Sequence, residues 1–225
     1  RGWRMAFPFA ALRRHVIPAV ALRGVKTICK SWRLWRLTGE SVALNGHTAP
    51  VLGVDFSSEG SSRYVASASA DGTARLWSSA DGACVAVLRP PTAGVCHQVR
   101  FGVVRTRDLV VVATASGAAH AFSLPPLAAA PGSDVAPTAE VTPTLSFGGH
   151  TAGVSGVAIG ENGEVLATAS LDKTVKLWKL RTGEHCRALP GGGSVRAVSF
   201  SSAGAANLVL ATAKGTVRVF GIRPK

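Results

Sequence analysis

The chain is short of cysteine, of acidic residues, of tyrosine and of long apolar runs, and each shortage removes a class of protein. Its 225 residues hold four cysteines, Cys29, Cys84, Cys96 and Cys186, with no CxxC pair and no paired histidine spacing. That excludes a zinc knuckle and a disulfide framework, and leaves buried thiols in a reducing compartment as the default. No apolar run approaches the roughly 18 residues needed to span a bilayer as a helix. One tyrosine in the whole chain leaves no interleaved aromatics for stacking bases, which argues against sequence-specific reading of RNA. GxSxG, P-loop and HExxH motifs and paired carboxylates are all missing from the sequence, so the common enzyme constellations have no foothold. Nothing calls for a cofactor or a metal.

The acid shortage is uneven. Twelve Asp and Glu stand against 25 Lys and Arg, a net charge of +13 that by itself points to nucleic acid. Nine of those bases (Arg1, Arg4, Arg13, Arg14, Arg23, Lys26, Lys30, Arg33, Arg36) lie in the first 39 residues with no acid among them, so the remainder carries only about +4. We read residues 1–29 as a basic N-terminal extension. Its composition also suits an organelle transit segment, mitochondrial for example, although Pro8 and Pro18 interrupt any continuous amphipathic helix.

What the chain does have is apolar content of 47%, 25 glycines and short β-branched clusters such as VVVATAS and LVLATAK. This mixture favours many short strands between turns, an all-β fold. The strands repeat. SWRLW ends at Trp35, DGTARLW at Trp77, SGAAHAF at Phe122, DKTVKLW at Trp178 and KGTVRVF at Phe220. Successive anchors are separated by 42, 45, 56 and 42 residues, and the long interval contains a Pro/Ala-rich segment, residues 125–143, read as a loop insertion. Upstream of the last four anchors come a first strand (VLGVDF, CHQVRF, VSGVAI, VRAVSF) and a buried second strand. A tight turn such as Asp71-Gly72 then leads to the anchor strand, and a fourth strand follows. A four-stranded antiparallel unit cannot bury both of its faces alone, so the units must stack, as blades do in a propeller.

These residues resemble the WD40 family. Gly46-His47-Thr48 and Gly149-His150-Thr151 precede Asp71 and Asp172 by 24 and 22 residues from the histidine, and each Asp is followed six residues later by Trp. The resemblance covers about residues 30–225 and implies a WD40-type β-propeller. It also implies structural tetrads on His47, Ser67, Asp71 and Trp77, and on His150, Thr168, Asp172 and Trp178. In each, Asp accepts from His, His contacts the Ser or Thr hydroxyl, and that hydroxyl bonds the indole N–H. The order of blades and insertion also resembles transducin beta-like proteins of the endoplasmic reticulum. Two blades depart from the pattern: Ser116 and Lys214 replace the Asp, Gly-His is missing, and both are expected to rely on apolar packing and to be less stable.

Four full units and an opening fragment fall short of the seven blades common in the family. In one account, Ser41–His47 supplies the outer strand of the last unit and closes a four-bladed ring. In the other, Lys30–Glu40 is the remnant of a further blade and the chain is part of a larger, partial propeller. We favour the second, because four such blades would have to pack at unusually steep angles.

His, Ser and Asp are also the residue types of a hydrolytic triad, but two copies in register with the repeat favour structure. Arg75, His120, Lys176 and Arg218 each lie two residues before an anchor. Their plainer explanation is solvated charge protecting the outer strands, and the functional one is a rim for an acidic partner or a phosphate backbone. The resemblance places Ala70 and Leu171 on the narrow face where partner peptides dock, with Leu171 as an exposed apolar anchor. The expected function is a non-enzymatic scaffold for protein–protein interaction and assembly of a multiprotein complex, cytoplasmic or nuclear. Its partners would be proteins or peptides, including a chain that completes the propeller. The alternative is an RNA- or ribonucleoprotein-associated propeller that uses the basic arm and rim.

Overall fold

The computed structural model describes residues 20–23, 31–36, 41–57, 64–104, 107–124, 139–160, 163–201 and 207–221. Among them there is no helix, and the strands form five sheets. The first sheet joins β1 (Val20–Arg23), β2 (Ser31–Arg36) and β3 (Ser41–Asn45) in chain order, each pair antiparallel. The next is a full blade of β4 (Val51–Phe56), β5 (Tyr64–Ser69), β6 (Ala74–Ser78) and β7 (Cys84–Leu88). The second blade begins with β8 (Cys96–Val104), β9 (Arg107–Thr114) and β10 (Ala119–Ser123). After β10 the chain supplies β11 (Ala139–Val141) to the first blade and then β12 (Leu145–Phe147), which completes the second. The third blade is β13 (Val154–Ile159), β14 (Val165–Ser170), β15 (Thr174–Lys179) and β16 (His185–Pro190). The last sheet holds β17 (Val195–Phe200), β18 (Asn207–Thr212) and β19 (Val217–Gly221).

Each of the three full blades buries two apolar faces because its second and third strands carry small or β-branched residues on both sides. One core layer sets Ala66, Ala74 and Leu76 of the first blade against Val99, Val112 and Phe122 of the second. The next sets Val111, Ala119 and Phe147 against Val157, Leu166 and Trp178. A third sets Val175, Leu177 and Leu189 against Val198, Leu208 and Leu210. The first strands of the blades lie side by side in the order β4, β8, β13, β17. Their close approach explains their glycines: a Cβ on Gly53 would stand 2.9 Å from the Gln98 Cα. Polar bonds stitch the same strands together. The Asp55 carboxylate accepts from the Phe101 amide at 2.9 Å and the Gln98 side-chain oxygen from the Val157 amide at 2.8 Å, while the Ser155 hydroxyl donates to the Val195 carbonyl at 2.6 Å.

The described strands bear on four expectations. Ser41–Asn45 pairs with β2 rather than with the last blade, so the ring-closing account fails. The fragment Lys30–Glu40 does contribute a strand of a further sheet, and that sheet reaches back to Val20–Arg23, inside the segment assigned to the extension. Leu34 and Leu44 of this sheet pack on Val65 and Trp77. The insertion, read as a loop, carries β11, which adds in parallel to the outer edge of the first blade, Val141 opposite Leu88. Arg89 and Glu140 form an exposed ion pair beside it at 2.8 Å. Among the described residues the last sheet has three strands where four were expected.

Candidate functional site

In the first blade the chain brings His47, Ser67, Asp71 and Trp77 together from a loop, a strand, a turn and a strand. The Trp77 indole N–H donates to the Ser67 hydroxyl at 2.8 Å, and that hydroxyl lies 2.7 Å from His47 Nε2. His47 Nδ1 lies 2.8 Å from the Asp71 carboxylate. A neutral imidazole protonated on Nδ1 satisfies every member: indole to hydroxyl, hydroxyl to Nε2, Nδ1–H to carboxylate. The third blade repeats the relay through Trp178, Thr168, His150 and Asp172 at 2.9, 2.8 and 2.7 Å. Burial lowers the pKa of both histidines, against the opposing pull of Asp71 and Asp172, and so keeps the rings neutral. Burial alone would raise the carboxyls, but it is outweighed. Bonds from the Thr73 hydroxyl, His47, and the Thr73 and Thr48 amides hold Asp71 at about 2, and the matching set from Thr174 and His150 does the same for Asp172.

Sequence reasoning overlooked two members of each cluster. The Thr73 and Thr174 hydroxyls donate to the Asp carboxylates at 2.7 and 2.6 Å. The Ser69 and Ser170 hydroxyls accept from the amides of Asp71 and Asp172 at 3.1 Å and donate to loop carbonyls. The signal was present, since Ser-x-Asp-x-Thr occurs at both sites with the same spacing. In the second blade Ser116 fills the Asp position with a hydroxyl pair, 2.7 Å from Thr114 and 2.9 Å from Thr92. In the last sheet Thr212 and Thr216 bond each other at 2.6 Å beside Lys214.

The relay has the order of bonds of a hydrolytic triad, but not the access. Ser67 is 3% exposed and Thr168 is fully covered, so no substrate carbonyl reaches either oxygen. Among the described residues no group of three or more His, Cys, Asp or Glu is arranged to hold a metal ion.

The basic residues divide. Arg75 is half-buried, its guanidinium 5.9 Å over the Trp77 ring and against Gly46. The Lys176 ammonium donates to the Gly149 carbonyl. Both therefore brace the Gly-His loop of their own blade instead of projecting as a rim. His120 is buried, with Nδ1 2.9 Å from the Ser146 hydroxyl. Arg218 is exposed and reaches back to the Pro190 carbonyl at 3.5 Å. Ala70 and Leu171 flank the two tetrads and are half-buried, so Leu171 is not the exposed anchor expected; its carbonyl accepts from the Ser194 hydroxyl at 3.1 Å.

Antiparallel sheets stacked face to face through their first strands, with a buried aromatic anchor in each full blade, define a β-propeller of partial extent. Two segments carry WD40 repeats: the family model "WD domain, G-beta repeat" matches residues 39–78 and 141–179, which hold the two complete tetrads. Among curated proteins it is 32% identical over 151 residues to the ribosome biogenesis protein YTM1 of Yarrowia lipolytica, which covers 66% of this chain and 26% of that protein. It is 38% identical over 81 residues to the ribosome biogenesis protein BOP1 homolog of Aedes aegypti, covering 36% of this chain and 9% of that one. The chain thus spans about a quarter or less of the length of these relatives. In fold it is similar to the crystal structure of the computationally designed Ika4 protein, with a TM-score of 0.63 at 21% identity, covering 81% of this chain and 97% of that one.

Proposed function

We propose that the chain is a non-enzymatic WD40 scaffold that holds protein partners together during ribosome assembly, with a nuclear or nucleolar location. The observation that carries this reading is the sequence likeness to two different WD40-containing ribosome biogenesis proteins, one of them extending over two thirds of the chain. The geometry supports it. The two tetrads are consumed in fixing loops, their hydroxyls are sealed from solvent, and what the blades offer outward is rigid surface. A rigid body with separate patches works by raising the effective concentration of one bound client near another. The RNA-associated reading is compatible with the same relatives and rests on the basic residues near the N-terminus.

The test is sedimentation of the tagged chain from a nuclear extract through a density gradient, with and without ribonuclease, followed by identification of what remains bound. Co-migration with large pre-ribosomal particles, and retention of protein partners after ribonuclease, is the expected result. Release of the chain as a free species by ribonuclease would favour direct RNA binding, and absence from particles under both conditions would remove the ribosomal reading.

A further inference from the structure

Cations without a partner gather at one end of the last two sheets. From His185 onward there are six Lys or Arg and no acid, so residues 40–184 hold ten bases against all twelve acids. The ion pairs follow the same division. Arg89, Arg100 and Lys179 each have a carboxylate, whereas among the described residues Arg196, Lys214 and Arg218 have none. These three frame the loop of residues 191–194 between β16 and β17. A Cβ added at Gly192 would stand 2.5 Å from the Arg218 guanidinium, and one at Gly193 would meet the Lys214 stem at 3.3 Å, so both side chains lie along the loop. Arg196 follows the loop by two residues. On the other side the Lys173 carbonyl accepts from the Gly191 amide at 2.7 Å, which brings a fourth base to the same end. All four side chains are exposed.

The same backbone positions hold a carboxylate in the blades with complete tetrads. Val51, Val154 and Val195 open their first strands opposite Ser69, Ser170 and Thr212. That register puts Gly192 in the place of Thr48 and Thr151, and Lys214 in the place of Asp71 and Asp172. The Thr48 and Thr151 amides donate to those aspartates at 3.1 Å, and the Thr73 and Thr174 amides at 2.9 Å. In the last sheet Thr216, the counterpart of Thr73, turns to the Thr212 hydroxyl instead, and Gly192 has no carboxylate to bond. A lysine thus stands where the other blades keep their acid. Lys173 is an independent sign. Gly72, Gly117 and Gly215 hold the left-handed position of their turns at φ 83°, 85° and 76°, and Lys173 holds it at 72°. A lysine there bears a backbone strain that the glycines avoid, and strain of this kind is kept where the side chain is used. The aromatics of the last sheet, Phe200 and Phe220, pack on the core between the last two sheets and leave no platform for stacking a base.

We propose that this end of the last two sheets is a docking site for an aspartate-rich segment of a protein partner, whose carboxylates lie among Lys173, Lys214 and Arg218 along the glycine loop. A loop without side chains lets the partner's backbone and its acids come close. Exposed charge contacts are individually weak, so the site works through several at once and by steering an acidic partner to this end of the molecule. The inference rests on the reading of the chain as a protein-binding scaffold and names the chemistry of one partner.

The experiment is fluorescence anisotropy of the purified full chain at low salt, with a labelled oligo-aspartate peptide and, separately, labelled polyuridine and an oligo-phosphoserine peptide. Wild type is expected to bind oligo-aspartate saturably. Lys214→Gln/Arg218→Gln should weaken that binding by about five-fold or more, the scale of two exposed charge contacts, and leave polyuridine binding as it was. The charge-matched variant Arg181→Gln/Arg187→Gln, on exposed positions outside the cluster, should leave the peptide affinity unchanged. Should the Lys214/Arg218 variant fail to fold, Lys173→Gly decides the matter. It frees a left-handed turn, so it should not lower the melting temperature, yet it must weaken the peptide; an unchanged affinity in this variant overturns the proposal. So does the lack of saturable binding to wild type, or equal weakening by the two double variants, which would mean diffuse attraction. A dependence on Lys214 and Arg218 that appears only with polyuridine or only with phosphoserine overturns it as well. These readings use purified components: failure to bind the peptide leaves co-migration with pre-ribosomal particles standing, and absence from the particles leaves the peptide result standing.

Discussion

At the scale of the residue, the tetrad is a relay whose order fixes a protonation state. Because Ser67 accepts from the Trp77 indole, its own proton is free for His47 Nε2, and the ring must carry its proton on Nδ1, facing Asp71. Replacing the carboxylate strands Nδ1–H and the Thr hydroxyl and amides that converge on it. Asp172→Ala is therefore expected to destabilise the protein by about 1–3 kcal/mol, measured as a shift in the urea midpoint. An unchanged midpoint would refute the structural role of this aspartate. The pKa shifts give a second prediction. His47 and His150 are lowered from 6.5, so below that value the unfolded chain binds protons that the fold refuses, and stability falls as pH drops from about 7 towards 5. Asp71 and Asp172 are lowered from 3.8 to about 2, so their contribution is complete above about 4 and is lost as pH falls through 2. Denaturation midpoints should decline in two stages, the first at histidine pH. A midpoint flat between pH 7 and 5 would mean that the rings are charged in the fold.

At the scale of the element, the first strands pack by backbone approach. Gly53 has no positive φ to protect, so its requirement is steric: an added Cβ would meet the Gln98 Cα at 2.9 Å and the His97 carbonyl oxygen at 3.0 Å, atoms that move only if β8 moves. Gly156, the counterpart in β13, would meet the end of the Gln98 side chain at 3.1 Å and the Ala197 Cα at a comfortable 3.5 Å. Gly53→Ala should therefore cost about 1–3 kcal/mol of stability as overpacking between rigid sheets, and Gly156→Ala clearly less; equal losses in chemical denaturation would contradict this. Such local rules also govern what could be read from the sequence. Period, turn chemistry and anchor spacing are written within each unit, so the blades and the partners of His47 and His150 were legible in advance. Contacts between distant segments were not. Nothing in the Pro/Ala-rich run marks Ala139–Val141 as a strand that crosses back to β7, because its pairing is decided by where the second blade sits. Arg75 and Lys176 read as surface charge from their spacing, yet the space left beside Gly46 and Gly149 folds them inward.

At the scale of the whole molecule, charge and fold are nearly separate. The blades carry a modest excess of bases, and two of the basic residues that precede the anchors, Arg75 and Lys176, are occupied in bracing loops. The dense positive charge lies in the first 39 residues, where nine bases meet no acid. Any affinity of this chain for RNA should therefore be electrostatic, indifferent to sequence, and controlled by that segment. Phosphate contacts release counterions, so the logarithm of the binding constant falls linearly with the logarithm of salt concentration, by about 0.7 per contact on a single strand. Removing residues 1–19 takes away Arg1, Arg4, Arg13 and Arg14. Against a polyuridine probe in a salt titration, this should flatten the slope by up to about 3, four contacts at that increment. Arg75→Gln and Lys176→Gln should leave the slope where it was and show their cost in the thermal melt instead. If the truncated chain keeps the full slope, the phosphate contacts belong to the blades, and the exposed Arg218 beside Lys214 becomes the place to look for them.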